Sequence, residues 1–167
     1  KGWWLVGCEI PISINPKPEY PNLIYQGYLD IVLYHEPTNS FKIIDIKTST
    51  SGWRQKEKSD EIKQFQLILY KKYFAEQYNV DIKNIEIEFF IMKRKMYEHK
   101  DFVIRRIQKF APPSGKTKQN RVTLALDKFI NEAFDNGSHK DVDHQPTIND
   151  KCKWCVYNKT HLCPATF

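Results

Sequence analysis

Asp45 and Lys47 stand two apart inside the apolar run FKIIDIKTST, residues 41 to 50. A buried strand ordinarily excludes both residue types, because an unpaired charge in an apolar setting costs on the order of several kcal/mol. Side chains alternate along a strand, so Asp45 and Lys47 share one face while Ile44 and Ile46 share the other. Upstream, the six-residue turn HEPTNS is centred between Pro37 and Thr38, and symmetrical pairing about that centre sets Asp30 opposite Asp45. Carboxylates so placed, with Cβ atoms about 5 Å apart, repel one another and call for a cation. Lys47 is one candidate, and a divalent metal, for which carboxylate oxygens are natural hard ligands, is the other. With a metal present, the Ile46 carbonyl is a further ligand candidate and Lys47 is left to orient or activate water. Such parts suit hydrolysis of a phosphodiester. A solvated hairpin end carrying a surface ion pair is the competing reading, and such a pair contributes little.

Further along, Gln66 and Tyr70 in EIKQFQLILYKKYF are four apart and share a helical face. Gln64, about 200° around the helix from Gln66, does not. Gln66 and Tyr70 can reach DNA phosphates or the carboxylate cluster, or else be a solvated amide beside a core aromatic. Taken in order, GYLDIVL, IIDIKTS, and the Gln and Tyr of QLILY resemble the successive motifs of the RecB-like branch of the PD-(D/E)XK nuclease superfamily. The branch includes helicase-nuclease subunits and CRISPR-associated RecB-like exonucleases, and the likeness runs over roughly residues 5 to 95. The resemblance implies an α/β fold, a mixed β-sheet core flanked by helices as in restriction endonucleases. It also implies that Asp30 and Asp45 hold magnesium or manganese, that Lys47 is the catalytic lysine, and that Gln66 and Tyr70 form the motif following the core. Glu9, on the first strand, is a further candidate acid near the site.

The formal charge of +6 suggests an anionic partner. Between residues 93 and 121 lie Lys93, Arg94, Lys95, Lys100, Arg105, Arg106, Lys109, Lys116, Lys118 and Arg121. Only Glu98 and Asp101 oppose them, so the rest of the chain is slightly acidic. A phosphate backbone is the fitting partner for such a run, although many charge runs are simply solvated faces. Tyr97, Phe102 and Phe110 nearby would stack on unpaired bases or serve the core.

The tail KCKWCVYNKTHLCP carries Cys152, Cys155 and Cys163, with His161 between the last two. Thiolates so spaced suit a soft metal better than a disulfide in an intracellular protein. Zinc held by Cys152, Cys155, His161 and Cys163 is one reading. The other, favoured by the resemblance, is a four-iron cluster on Cys152, Cys155, Cys163 and a distant Cys8. Either would staple the tail to the core and contribute folding free energy rather than chemistry.

To position these residues the chain needs strands over 3–14, 24–34, 41–47, 85–94 and 101–110, and helices over 60–78 and 121–136. Ile62, Phe65, Leu69 and Tyr73 mark the apolar stripe of the first helix, and APPSGKTKQN, 111 to 120, reads as a loop. At 167 residues the chain is long enough for one domain with a proper core. A nuclease core over 1–137 and a cysteine tail over 138–167 are expected. No run reaches the ~18 apolar residues of a transmembrane helix, and no signal peptide is recognisable, so a soluble, cytoplasmic protein is expected. A start on Lys1 is expected of a processed or partial chain. The functional expectation is a metal-dependent DNA exonuclease acting on single strands or duplex ends, with a helicase or recombination protein as a possible partner and no membrane. The alternative is an inactive DNA-binding or scaffolding module of the same shape.

Overall fold

Runs dense in Ile, Val, Tyr and Phe become strands because branched and aromatic side chains suit a pleated, half-buried surface. The computed structural model describes residues 1–95, 105–140 and 148–163. Strands β1 (Trp3–Ile14), β2 (Tyr25–His35), β3 (Ser40–Ser49), β4 (Ile85–Lys93) and β5 (Ile107–Phe110) form one sheet in that order. Within this sheet only the β3–β4 step is parallel; the other neighbours run antiparallel. A parallel step needs a crossover, supplied here by α1 (Gln55–Ser59) and α2 (Glu61–Gln77). Helix α2 lies against β1, β3 and β4 and packs on α3 (Lys116–Ala133). The result is a mixed sheet with flanking helices.

The core forms where Ile43, Phe89 and Ile91 of the sheet meet Leu67, Tyr73 and Phe74 of α2 and Val122 of α3. Each such side chain stabilises the fold by roughly 1.5–3 kcal/mol through removal from water. Asp60 starts α2 by accepting from the Ile62 N–H (3.1 Å). At the other end, Gln77 and Tyr78 both donate to the Pro11 carbonyl, at 3.1 and 3.2 Å, fixing α2 against β1.

The turn between β2 and β3 is the hairpin its composition implied. Glu36–Thr38 form a 3-10 turn, Asn39 takes a left-handed conformation, and His35 faces Ser40. Three expectations needed adjustment. Ile62 is 75 % exposed, and the buried set on α2 is Leu67, Ile68, Tyr70, Tyr73 and Phe74 with Gln64 and Lys71. The helix is covered both by the sheet, through Phe74 against Phe41, and by α3, through Lys72 to Thr123, so a single stripe does not identify its inner side. Helix α3 starts five residues early, because Lys116–Asn120 are polar helix formers without apolar periodicity. It ends at Ala133, where β6 (Phe134–Asp135) turns through Asn136 and Gly137, both at positive φ, into β7 (Ser138–His139). Of the expected strand 101–110 only Ile107–Phe110 is a strand, and residues 101–104 lie outside the described residues, as do Tyr97, Lys100 and Phe102.

Candidate active site

The β2–β3 ladder runs from His35↔Ser40 to Ile31↔Ile44, one step short of Asp30 and Asp45. Beyond that pair Asp30 turns its carboxylate to the backbone, and its Oδ2 accepts from the Ile46 N–H at 2.6 Å. Asp45 lies on the inner side of β3 and is 3 % exposed. Lys47 Nζ stands 2.9 Å from Asp45 Oδ2, an ion pair by distance. Among the described residues that buried oxygen has no partner besides Lys47. Burial pushes the Asp45 carboxyl above the usual carboxylate range; Lys47 pulls it back, and the negative charge of Asp30 raises it further.

Lys47 also donates to Gln66 Oε1 (2.9 Å), and Gln66 Nε2 donates to the Tyr70 hydroxyl (3.1 Å). The i, i+4 spacing on α2 therefore does what the helical period requires, and its Gln–Tyr pair meets the lysine of β3. Gln64 points elsewhere and donates to the Lys58 carbonyl. Tyr70 is seated over Gly27 of β2, where an added Cβ would lie 2.7 Å from Tyr70 Cε1. Asp30, Asp45, Lys47, Gln66 and Tyr70 thus converge on one end of the sheet, linked by contacts across β2, β3 and α2.

Glu9 belongs to the same neighbourhood by register. It falls between Cys8↔Ile31 and Ile10↔Leu29, opposite Asp30, and its backbone has φ 53. A non-glycine residue at positive φ inside a strand is strained and has to be held by its surroundings. Two neighbouring carboxylates, the buried Asp45 and Asp30, offer the oxygen donors a hard divalent cation takes, and in that chemistry they suit magnesium or manganese.

The metal expected in the tail is not shown. Cys155 N–H donates to the Cys152 carbonyl (3.1 Å) and Cys163 N–H to the Thr160 carbonyl (3.1 Å), a pair of tight turns. Among the described residues no group of three or more His, Cys, Asp or Glu is arranged to hold a metal ion. Among the described residues neither a zinc site on Cys152, Cys155, His161 and Cys163 nor a cluster site completed by Cys8 is seen. Cys8 is exposed on β1.

The basic run is divided. Backbone pairing continues past the ladder, with Arg94 N–H on the Ser49 carbonyl and Lys95 N–H on the Thr50 carbonyl, both 2.8 Å. Lys93, Arg94 and Lys95 are thereby carried to the carboxyl end of the parallel pair, two residues beyond Lys47 in register. Arg105 and Arg106 lie exposed beside them, the Arg106 carbonyl accepting from Lys93 N–H (2.9 Å). Lys109 instead sits over the Phe90 ring, 4.8 Å from its centroid. Lys116, Lys118 and Arg121 open α3, where Lys118 and Arg121 both pair with Glu61.

A cleft of about 450 Å³ adjoins Lys47 and Gln66, and Trp53, Ile62 and Lys63 line it. Sequence reasoning assigned Ile62 to an apolar stripe and passed over Trp53 and Lys63. The only signal for them is a tryptophan directly after the Ser-Gly pair that follows the acid-lysine motif.

Among the described residues no helix is long and apolar enough to cross a membrane. Comparison with curated proteins finds no match. Among solved structures, the crystal structure of SSO0001 aligns with 99 % of this chain at 18 % identity and a TM-score of 0.46, too loose a likeness to bear on function. This chain spans 59 % of that one. The model of the PD-(D/E)XK nuclease superfamily matches residues 1–164. Nearly the whole chain is covered, including both aspartates, the lysine and the Gln–Tyr pair, and the protein belongs to the PD-(D/E)XK nuclease superfamily.

Proposed function

We propose that the protein is a magnesium- or manganese-dependent deoxyribonuclease of the RecB-like branch, hydrolysing phosphodiester bonds at single-stranded or duplex DNA ends. The observation that carries this reading is the buried Asp45 carboxylate, with Lys47 Nζ 2.9 Å from its Oδ2 and the negative charge of Asp30 near enough to act on it. Asp30 and Asp45 would hold the cation, with the Ile46 carbonyl as a further ligand and Glu9 as a neighbouring acid. When bound, the cation polarises a phosphoryl oxygen and lowers the pKa of the attacking water. Lys47, held between Asp45 and Gln66, orients that water and offsets negative charge developing on the phosphate. Gln66 and Tyr70 are positioning residues: they fix the lysine's ammonium rather than touch the reacting atoms.

Lys93, Arg94, Lys95, Arg105 and Arg106 would track the phosphate backbone at that end of the sheet, with Lys109, Lys116, Lys118 and Arg121 as more distant contacts. In this reading residues 1–137 are the catalytic core and 138–167 an appendage. The test is cleavage of labelled single- and double-stranded DNA with magnesium, manganese or EDTA. Asp45→Asn and Lys47→Met are each expected to lower cleavage by about 10²-fold or more while the protein still melts cooperatively. Full activity in either variant refutes the assignment, and binding without metal-dependent cutting in the parent would favour an inactive DNA-binding module.

A further inference from the structure

Directly after β3 the chain closes a turn. Ser49 Oγ donates to the Gly52 carbonyl (3.0 Å) and accepts from Gly52 N–H (3.2 Å). Gly52 has φ 100, a conformation that glycine alone adopts cheaply. Trp53 is then gripped by Gln108 of β5, whose Oε1 accepts from the Trp53 N–H (2.7 Å) and whose Nε2 donates to its carbonyl (3.1 Å). The indole packs against Phe89, 5.0 Å between centroids, and edge-on to Phe110 at 6.4 Å. An aromatic so fixed in backbone and ring usually serves only the core. This one also lines the cleft shared with Lys47 and Gln66, where Lys63 Nζ lies 5.5 Å from the ring centroid. Ile62, in the same cleft, is 75 % exposed, which packing of α2 does not explain.

We propose that this cleft receives one unpaired nucleobase next to the phosphate presented to Asp45 and Lys47, stacked on Trp53 with Lys63 at its backbone, so that the site acts on single strands or frayed ends rather than intact duplex. An aromatic platform beside a cation is how proteins hold unpaired bases without reading their sequence. A cleft of about 450 Å³ has room for a small ligand such as a nucleoside. A base inside a duplex is already stacked and paired, and it reaches such a platform only by leaving the helix. Ile62 is placed to pack on the base or the one beside it. The inference rests on the phosphodiesterase reading for the location of the phosphate, but not for the base contact itself.

The experiment uses the Asp45→Asn protein in EDTA, so that binding is read without cutting. Fluorescence anisotropy with a labelled 12-nucleotide oligothymidylate (length about the span of one such binding groove) is compared with a blunt duplex of the same length. Adding Trp53→Leu is expected to weaken single-strand binding about fivefold or more while duplex affinity changes less than about twofold, and Trp53→Phe to retain most of the affinity. Unlabelled oligothymidylate should quench tryptophan emission, and that quench should fall in the Trp53→Phe version. Lys63→Gln, on the surface of α2, should lower the slope of log K against log salt by about 0.7. If Trp53→Leu does not melt cooperatively, the Trp53→Phe quench and the Lys63→Gln slope decide the matter. Single-strand affinity within twofold of the parent in Trp53→Leu, equal losses on both substrates, or a quench and slope unmoved in the other two variants would overturn the proposal. Trp53-dependent binding by a parent protein that cuts nothing with magnesium or manganese would sink the hydrolase reading and leave the base site standing. Cleavage of duplex and single strand alike, untouched by Trp53→Leu, would do the reverse.

Discussion

Gly27→Ala tests the link between sheet and helix on which the site depends. A Cβ at Gly27 would meet Tyr70 Cε1 at 2.7 Å, the hydroxyl at 3.0 Å and Cζ at 3.2 Å, whereas ordinary contact begins at 3.4 Å. The ring must retreat by about 0.7 Å or β2 must move out, and Tyr70 is 6 % exposed within the core, so neither is free. Overpacking of this kind costs about 1–3 kcal/mol. Loss of the Gln66–Tyr70 hydrogen bond adds about 0.5–1.5 kcal/mol. At about 2–4 °C per kcal/mol for a chain of this size, the melting temperature should fall by roughly 3–18 °C. Since Gln66 holds Lys47, the same shift loosens the ammonium, and cleavage per folded molecule should drop about tenfold. Trimming the ring in Gly27→Ala/Tyr70→Leu should recover part of the lost stability but not the activity. Calorimetry and a labelled-strand cleavage assay read both quantities. A Gly27→Ala protein that melts within a degree of wild type and cuts at the same rate would show that Tyr70 is not seated on β2.

Two further outcomes follow from the electrostatics. The Asp45 carboxyl is raised by burial, so the native state binds its proton more tightly than the unfolded chain, and the wild type loses stability as pH rises from about the ordinary 3.8 through the raised value. In chelating buffer at neutral pH, Asp45→Asn should therefore melt a few degrees above wild type. The gap should close as pH falls towards 4, and added magnesium should stabilise the wild type alone; a variant no more stable than its parent at pH 7 would contradict the burial argument. Glu61 engages both Lys118 and Arg121, and the Lys118 hydrogen bond foremost holds its carboxyl below the usual range. Glu61→Gln releases two cations and, these being surface pairs, should hardly move the melting temperature. If α3 touches the substrate, single-strand binding should tighten and its salt slope steepen by up to about 1.4; an unchanged slope removes Lys118 and Arg121 from the interface.

The hairpin was legible because its geometry is local. Pro37, Thr38 and Asn39 limit the turn to one compact form, and once His35 faces Ser40 the two-residue period carries the register down to Ile31 and Ile44, the pair next to Asp30 and Asp45. Strand β4 was legible for the same reason, with Ile85, Ile87, Phe89 and Ile91 alternating inward. Helix α2 was legible as a helix but not in its orientation: it is apolar around much of its girth, and the spacing of Ile62 points it to a core it does not enter. The start of α3 and the Asn136-Gly137 turn were not legible, because polar helix formers leave no periodic trace and a two-residue turn between two-residue strands is easily read as a helix end.

Sequence by itself determined that Asp45 and Lys47 share a face, that the hairpin register runs towards Asp30, and that Gln66 and Tyr70 are neighbours, since each relation spans one strand, one turn or one helical turn. Tertiary structure alone decided that Gln66 reaches Lys47 across 19 positions, that Gly27 receives Tyr70, and that Gln108 locks Trp53 from 55 positions away. Among the described residues it shows no metal-holding group that includes the cysteines of the tail. Dihedral preferences and side-chain periods act over a few residues, whereas the angle at which a crossover helix settles on its sheet is set by the packing of the whole core, which no short stretch encodes.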